Sequence, residues 1–217
     1  MKIELHCHTD EGSRCGKVPA REVVRLHKEA GYDAIVITDH YNQDSLNRFE
    51  GEIHEKVDQW MNGYRLALEE GKKAGLKVFF GMEVRNYENE NDYLVYGVTP
   101  EDLLQCEDLR QLPLPELRKK ILEMGGILIQ AHPYRKKCYP APAVLLDGLE
   151  VLNKNPRHEN HNDQTQKLAE QYPHLIRTAG SDFHQAEDLE GAYVVFEEEL
   201  HSEEELRDAL KKQAFTW

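Results

Sequence analysis

The chain is short of everything that holds small secreted scaffolds together. Its 217 residues include only four cysteines and two tryptophans. Cys7, Cys15, Cys106 and Cys138 make no CxxC pair and no closely spaced framework. A disulfide scaffold is therefore set aside, and reduced thiols in a cytoplasmic protein are expected. No apolar run approaches the roughly 18 residues of a spanning helix, so no membrane partner is expected. Met1-Lys2-Ile3-Glu4-Leu5-His6 enters a strand pattern with no apolar signal region before it, so secretion is not expected either. Basic residues are in deficit: 27 Lys and Arg face 40 Asp and Glu, for a formal charge of −13. That excess repels nucleic-acid backbones, and no Arg/Lys-rich run offsets it, so long nucleic acid is set aside as a partner. No Ser or Cys nucleophile motif is present. No apolar run in mid-chain ends on a lysine placed to bridge two metal ions, as a carbon–nitrogen hydrolase would need.

What is present describes one globular domain over residues 1–217. Hydrophobic residues make up 40% and charged residues 31%, within the range of soluble folds. Short apolar runs alternate with helical patterns, and no repeat or linker interrupts them. Strands are predicted at Ile3 to His6, Ala34 to Thr38, Val78 to Gly81, Tyr93 to Val98, Ile127 to Ala131, Leu149 to Leu152, Leu175 to Ala179 and Ala192 to Phe196. A helix over Pro19 to Ala30 opens on proline, turns Val23, Val24 and Leu26 inward and stops at Gly31. Thr99-Pro100-Glu101-Asp102 opens another, with a capping hydroxyl and acids at the positive end of the dipole. Leu114 to Met124 ends at Gly125-Gly126, and Ser202-Glu203-Glu204-Glu205 starts a last helix by a capping box. The charged stretch from Asp44 to Ala74 is expected to be one extra helix with Ile53, Val57, Trp60, Met61, Tyr64 and Leu68 on its inner stripe.

Eleven histidines are the richest feature, and the informative ones stand beside acids at the ends of apolar runs. They fall in His6-Cys7-His8, Thr38-Asp39-His40, His132-Pro133 and Ser181-Asp182-Phe183-His184, with Glu83 in Gly81-Met82-Glu83. Imidazole nitrogens and carboxylate oxygens are the ligand set of Zn, Mn or Fe. Alternation along a strand points His6 and His8 to one face and Cys7 to the other. Groups leaving several different strand ends meet only if those ends ring a common point. That favours a (β/α) barrel, with the site at the carboxyl ends of its strands, over an open sheet.

Five elements in order, His6-Cys7-His8-Thr9, Thr38-Asp39-His40, Gly81-Met82-Glu83, His132-Pro133 and Ser181-Asp182-Phe183-His184, resemble the PHP family, named for its polymerase and histidinol-phosphatase members. The resemblance implies a distorted (β/α)7 barrel holding two or three divalent ions: Zn, Mn or Fe, with Mg open as well. By motif position, one ion takes His6, His8, Glu83 and Asp182. Glu83 bridges to a second ion that also takes His132, and a third uses His40 and His184. Where relatives carry a histidine before their next strand, this chain has Asp92. Where they carry a further ligand after the first motif, Glu11 stands in its region, and Cys15, close by, stays open as a ligand. Asp39 is either a catalytic group or one that orients a ligand imidazole, and Asp182 and His184 are the other catalytic candidates. Arg14 and Arg135 are candidates for holding a substrate phosphate, because a planar guanidinium matches phosphate oxygens.

The implied activity is metal-dependent hydrolysis of a phosphate ester by activated water, with no side-chain nucleophile. The acidic surface favours a small phosphomonoester, of the histidinol-phosphate kind, as partner. A nucleotide or oligonucleotide phosphodiester, a phosphotyrosine substrate and a noncatalytic metal-binding module are the alternatives.

Overall fold

The computed structural model describes residues 1–217 except 107 and 190. All eight predicted strands form: β1 (Lys2–Cys7), β2 (Ala34–Ile37), β4 (Lys77–Val84), β5 (Tyr93–Tyr96), β6 (Ile127–Gln130), β7 (Gly148–Asn153), β8 (Ile176–Gly180) and β9 (Val194–Phe196). Two further strands of two residues each, β3 (His40–Tyr41) and β10 (Phe215–Thr216), are too short to leave a pattern in sequence. The sheet runs β10-β9-β1-β2-β4-β5-β6-β7-β8, with β3 also paired to β4. It is an α/β fold whose sheet curls until its parallel strands nearly meet. Beyond β8, Phe183 bridges to Cys7 at the end of β1. His8 N donates to Phe183 O, and Phe183 N donates to His6 O.

The sheet is not uniformly parallel, as a regular βα repeat would make it. β5 runs antiparallel to both β4 and β6, and β9 runs antiparallel to β1. Residues 85–92 link β4 to β5 without a helix, and so short a connection cannot make the crossover that parallel strands need. One consequence bears on the site. The start of β5, rather than its end, lies level with the carboxyl ends of the parallel strands, and Asp92 immediately precedes it.

Alternation along the strands makes two apolar layers. Ile3, Ala34, Val36, Phe79, Leu94 and Ile127 pack together with Leu206 and Leu210 of α8 (Glu203–Lys212). Arg207 of that helix donates from Nη1 to Gly125 O at the approach to β6, fastening α8 across the end away from the site. Ile35, Ile37, Phe80 and Val95 face the other way, onto an outer shell of helices. These are α1 (Ala20–Glu29), α3 (Ile53–Trp60), α4 (Asn62–Ala74), α6 (Leu114–Glu123) and α7 (Asn162–Gln171). α7 escapes prediction because it buries little, only Thr165 and Ala169. α5 (Pro100–Leu104) starts as expected, with Thr99 and Asp102 closing a capping box.

The stretch from Asp44 to Ala74 is three helices rather than one. α2 (Gln43–Leu46) is capped by Asn42, and a capping box at Glu52 starts α3. α4 then begins just past Met61. Glycine at position 51, with φ of 103°, adopts a backbone that no helix permits. Val57, Trp60, Met61 and Tyr64 still face the core, so the inner stripe survives the breaks.

Candidate metal centre

The first motif is aimed by its neighbours. Cys7 N donates to Thr38 Oγ1 at 2.9 Å, and the Cys7 side chain joins the outer apolar layer. His6 and His8 therefore turn to the opposite face. Their ring orientation is fixed from behind. His6 Nδ1 lies 2.8 Å from Glu150 Oε1, and His8 Nδ1 lies 2.9 Å from Ser13 Oγ. Ser13 donates its only hydroxyl proton to Asp39 Oδ1 at 2.7 Å, so it must accept from His8. Nδ1 of His8 thus carries a proton, and Nε2 is the nitrogen that faces the cluster.

The two Nε2 atoms converge on two carboxylates. Glu83, on β4, has its Oε2 at 2.8 Å from His40 Nδ1 and 3.3 Å from Nε2 of both His6 and His8. Its other oxygen is 3.1 Å from His132 Nε2. Asp182 Oδ1 lies 3.4 Å from the same two Nε2 atoms and 3.3 Å from His184 Nδ1. His132 and Asp182 both adopt positive φ, 29° and 55°. Non-glycine residues hold that backbone only where their surroundings impose it.

Buried polar atoms ordinarily find hydrogen-bond partners, and leaving one without costs about 1–3 kcal/mol. Here His6 Nε2, His8 Nε2, His40 Nδ1, Glu83 Oε2 and Asp182 Oδ1 are all buried without one. Five such atoms turned toward one another are poorly placed for hydrogen bonds and well placed to share cations. Among the described residues, His6–His8–Glu83, His8–His40–His184 and His40–Glu83–Asp92 each bring ligand atoms within 4.8 Å of one another. The mixed imidazole and carboxylate donors suit borderline divalent ions. The residues present fit the ions that the sequence implies.

Electrostatics agree with that geometry. Burial alone would drive the His6 imidazole neutral, but Asp182, Glu150 and Glu83 outweigh it and hold His6 well above its usual range. Burial opposes charge on Glu83 too, yet His6 and His40 hold its carboxyl well below the usual range. Asp182 is likewise held low against burial by His6, Arg135 and His184. The cluster is a site in which carboxylates stay ionised although buried.

The remaining candidates fall in different places. Asp92 is gripped by Arg85, Nε to Oδ1 at 2.7 Å and Nη2 to Oδ2 at 2.5 Å, and its Oδ2 is 3.9 Å from His132 Nε2. Asp39 is not aimed at the cluster. It accepts from Thr9 N, Thr9 Oγ1 and Ser13 Oγ, each at 2.7 Å, and so braces the loop behind His8. Glu11 also stands outside. Its Oε2 accepts from Ala20 N at 2.8 Å, because Pro19 at the start of α1 offers no capping side chain. Arg14 is exposed, and its backbone N donates to Ser45 Oγ. Arg135 reaches in, donating from Nη2 to Asp182 Oδ2 at 2.6 Å and from Nε to Asn160 at 2.9 Å. His184 Nε2 lies 3.1 Å from Cys15 Sγ. Burial pushes that thiol up, but His40 and His184 bring it down to about 4.

Sequence reasoning passed over Glu150 and Ser13, and placed Asn153 only as a polar group at the end of the sixth strand. Glu150 and Glu4 did leave a signal, since each is a carboxylate between two buried aliphatic residues in a strand. Glu4 accepts from His6 N and Ser181 N, and burial pushes it up to about 7.

A model of the PHP domain matches residues 4–212. The chain belongs to the PHP family. Among its relatives is an uncharacterised protein of Methanocaldococcus jannaschii, 28% identical over 173 residues, covering 70% of this chain and 82% of that one. A PolC-type DNA polymerase III of Latilactobacillus sakei is 26% identical over 130 residues, 58% of this chain but only 8% of the polymerase. Among solved structures, a two-domain protein of Bacteroides vulgatus, described as containing a predicted PHP-like metal-dependent phosphoesterase, superposes with a TM-score of 0.71 at 17% identity. That match covers 99% of this chain and 63% of the other, and shows a shared fold.

Above the PHP cluster opens a cavity of about 380 Å³ whose walls include His40, Asp92 and His184. Lys17, Arg85, Arg135, Lys136 and Arg157 also line it, against the carboxylates of Glu90 and Asp92. In a chain of formal charge −13, this is a local reversal of sign. Among the described residues, no helix is long and apolar enough to cross a membrane.

Proposed function

We propose that this PHP protein is a metal-dependent phosphoesterase acting, as a single domain, on a small phosphomonoester. The observation that carries the proposal is the convergence of buried, unpartnered ligand atoms from His6, His8, His40, Glu83 and Asp182, next to a cation-lined cavity that His40 helps to wall. Divalent ions, when bound, supply Lewis acidity and an activated water. His6, His8, Glu83 and Asp182 would hold one ion, with His132 and Asp92 serving a second beside Glu83, and His40 and His184 a third.

The protein's own groups account for the rest. Arg135 stands beside Asp182 with a guanidinium that can turn one edge to phosphate oxygens. Lys17 and Lys136, on the same walls, favour an anionic substrate electrostatically. His184 lies on the cavity wall, where its imidazole could pass a proton to the leaving alkoxide in a state in which it holds no ion. A cavity of this volume is of the size that holds a metabolite or a nucleotide. Phosphodiester cleavage of a nucleotide is the second reading. The similarity to DNA polymerases favours it, and the acidity of the chain outside the cavity weighs against long polynucleotides.

A screen of phosphomonoesters and nucleotide phosphodiesters with added Zn, Mn or Mg tests this. Chelator-sensitive phosphate release from monoesters is expected. Release from diesters alone would move the assignment to the second reading, and inertness toward every ester would leave a noncatalytic metal-binding module.

A further inference from the structure

We propose that Glu150 is a positioning residue that sets the ligating form of His6 and His132 together, with Asn153 extending its hold to Asp182. The inference rests on the metal-centre reading above and deepens it. β7 contributes no atom to the cation-facing set, yet its two buried polar side chains touch ligands from three other places in the sheet.

The contacts are complete. Glu150 Oε1 faces His6 Nδ1 at 2.8 Å, which places the proton of the neutral imidazole on Nδ1 and leaves Nε2 to ligate an ion beside Glu83 and Asp182. A neutral imidazole has two tautomers of similar energy, and the partner on one nitrogen decides which the other presents. Glu150 Oε2 accepts from His132 N at 3.1 Å and from Asn153 Nδ2 at 2.9 Å. The first of these pins the backbone of His132 in its left-handed conformation, which directs the ring toward Glu83. Asn153 Nδ2 also reaches Asp182 Oδ2 at 3.3 Å, while its Oδ1 accepts from Arg135 Nη2 at 3.1 Å. Asn155 Nδ2 donates to Asp182 O at 2.9 Å and steadies the second strained ligand. Glu150 and Asn153 are each 1% exposed, so water does not substitute for either.

Glu150→Gln separates positioning from bulk. Its amide keeps the shape, but one acceptor becomes an NH2 group that faces either His6 Nδ1–H or the donors of His132 and Asn153. The control is Glu70→Gln on α4, which breaks a pair with Arg25 away from the cluster. Zinc affinity is measured by chelator competition, with folding followed by thermal unfolding. The His6 Nδ1–H resonance is followed by 15N NMR of the zinc-loaded protein. Glu150→Gln is expected to weaken zinc binding roughly 10- to 100-fold and to shift the His6 resonance, while Glu70→Gln lowers stability and leaves zinc affinity unchanged. A folded Glu150→Gln protein with wild-type affinity and an unmoved His6 resonance overturns the proposal.

Should Glu150→Gln not fold, Asn153→Ala serves. It leaves the Glu150–His6 pair intact, so weaker zinc binding with an unshifted His6 resonance is expected, and unchanged affinity overturns the proposal. Wild-type protein that binds no zinc would instead overturn the metal centre itself. Wild-type protein that binds zinc and hydrolyses esters, with both variants binding equally, would overturn only the positioning role.

Discussion

Gly63→Ala offers a test in which helix propensity and tertiary packing predict opposite signs. Gly63 lies in the first turn of α4, where replacing glycine by alanine normally stabilises a helix by up to about 1 kcal/mol. Here an added Cβ would stand 2.3 Å from Thr9 Oγ1 and 2.8 Å from Asp39 Oδ2. Neither atom is free to retreat, because the Thr9 hydroxyl donates to that same Asp39 oxygen at 2.7 Å. Losing a hydrogen bond to a charged group costs about 1.5–3 kcal/mol. Forcing a methyl into a filled site costs about 1–3 kcal/mol more. The packing cost exceeds the helix gain, leaving a net destabilisation of about 1.5–5 kcal/mol after the full helix gain is subtracted. The disturbance also travels, since Asp39 holds Ser13, and Ser13 holds both His8 Nδ1 and His40 N. Urea denaturation with and without zinc measures both effects, as lower stability and a smaller stabilisation by zinc. A Gly63→Ala protein as stable as the wild type would refute the claim that Asp39 braces the centre rigidly.

Three further predictions concern pH and the substrate. In chelator-treated protein, His6 and His40 are held above their usual values against burial. Their contribution to stability is therefore full below about pH 6.5 and fades as pH rises through the folded values. Glu83 and Asp182 are held low, so their contribution is present above about pH 4.5 and lost as pH falls through the folded values. The melting temperature of the metal-free protein should thus peak between those limits. The gain on adding zinc should grow from pH 6 to pH 8, because imidazoles must lose their protons to ligate; a gain independent of pH contradicts this. Arg135→Lys should lower kcat/KM toward phosphomonoesters roughly 10- to 100-fold, mainly through KM, since an ammonium cannot hold Asp182 and Asn160 and still turn toward phosphate. Unchanged steady-state constants would remove Arg135 from substrate binding.

Much of the fold could be read in advance, because burial on a sheet leaves period-two runs and amphipathic helices leave a stripe. β3, β10 and α7 could not, being too short or too little buried to impose a pattern. The histidines of the centre were legible because imidazoles beside acids at strand ends are a costly arrangement with few other uses. Asp92 was legible for a weaker reason, its place before β5, and only the antiparallel run of β5 explains why a strand start reaches the site. Glu11 misled because an acid near a histidine motif serves a helix start equally well, and Pro19 left the first turn of α1 in need of an acceptor. The supports were hardest to see. Ser13 and Asn153 are common polar residues whose roles arise only when the chain brings His8 and Asp182 to them.

The central claim is that buried imidazoles and carboxylates from distant parts of the chain share divalent cations. Metal analysis of protein purified without chelator tests it most directly. The account predicts about two or three equivalents of Zn, Mn or Fe per chain, falling toward zero when Glu83 and Asp182 are both replaced by alanine. Fewer than about one equivalent in the wild type, not restored by added metal, would contradict it.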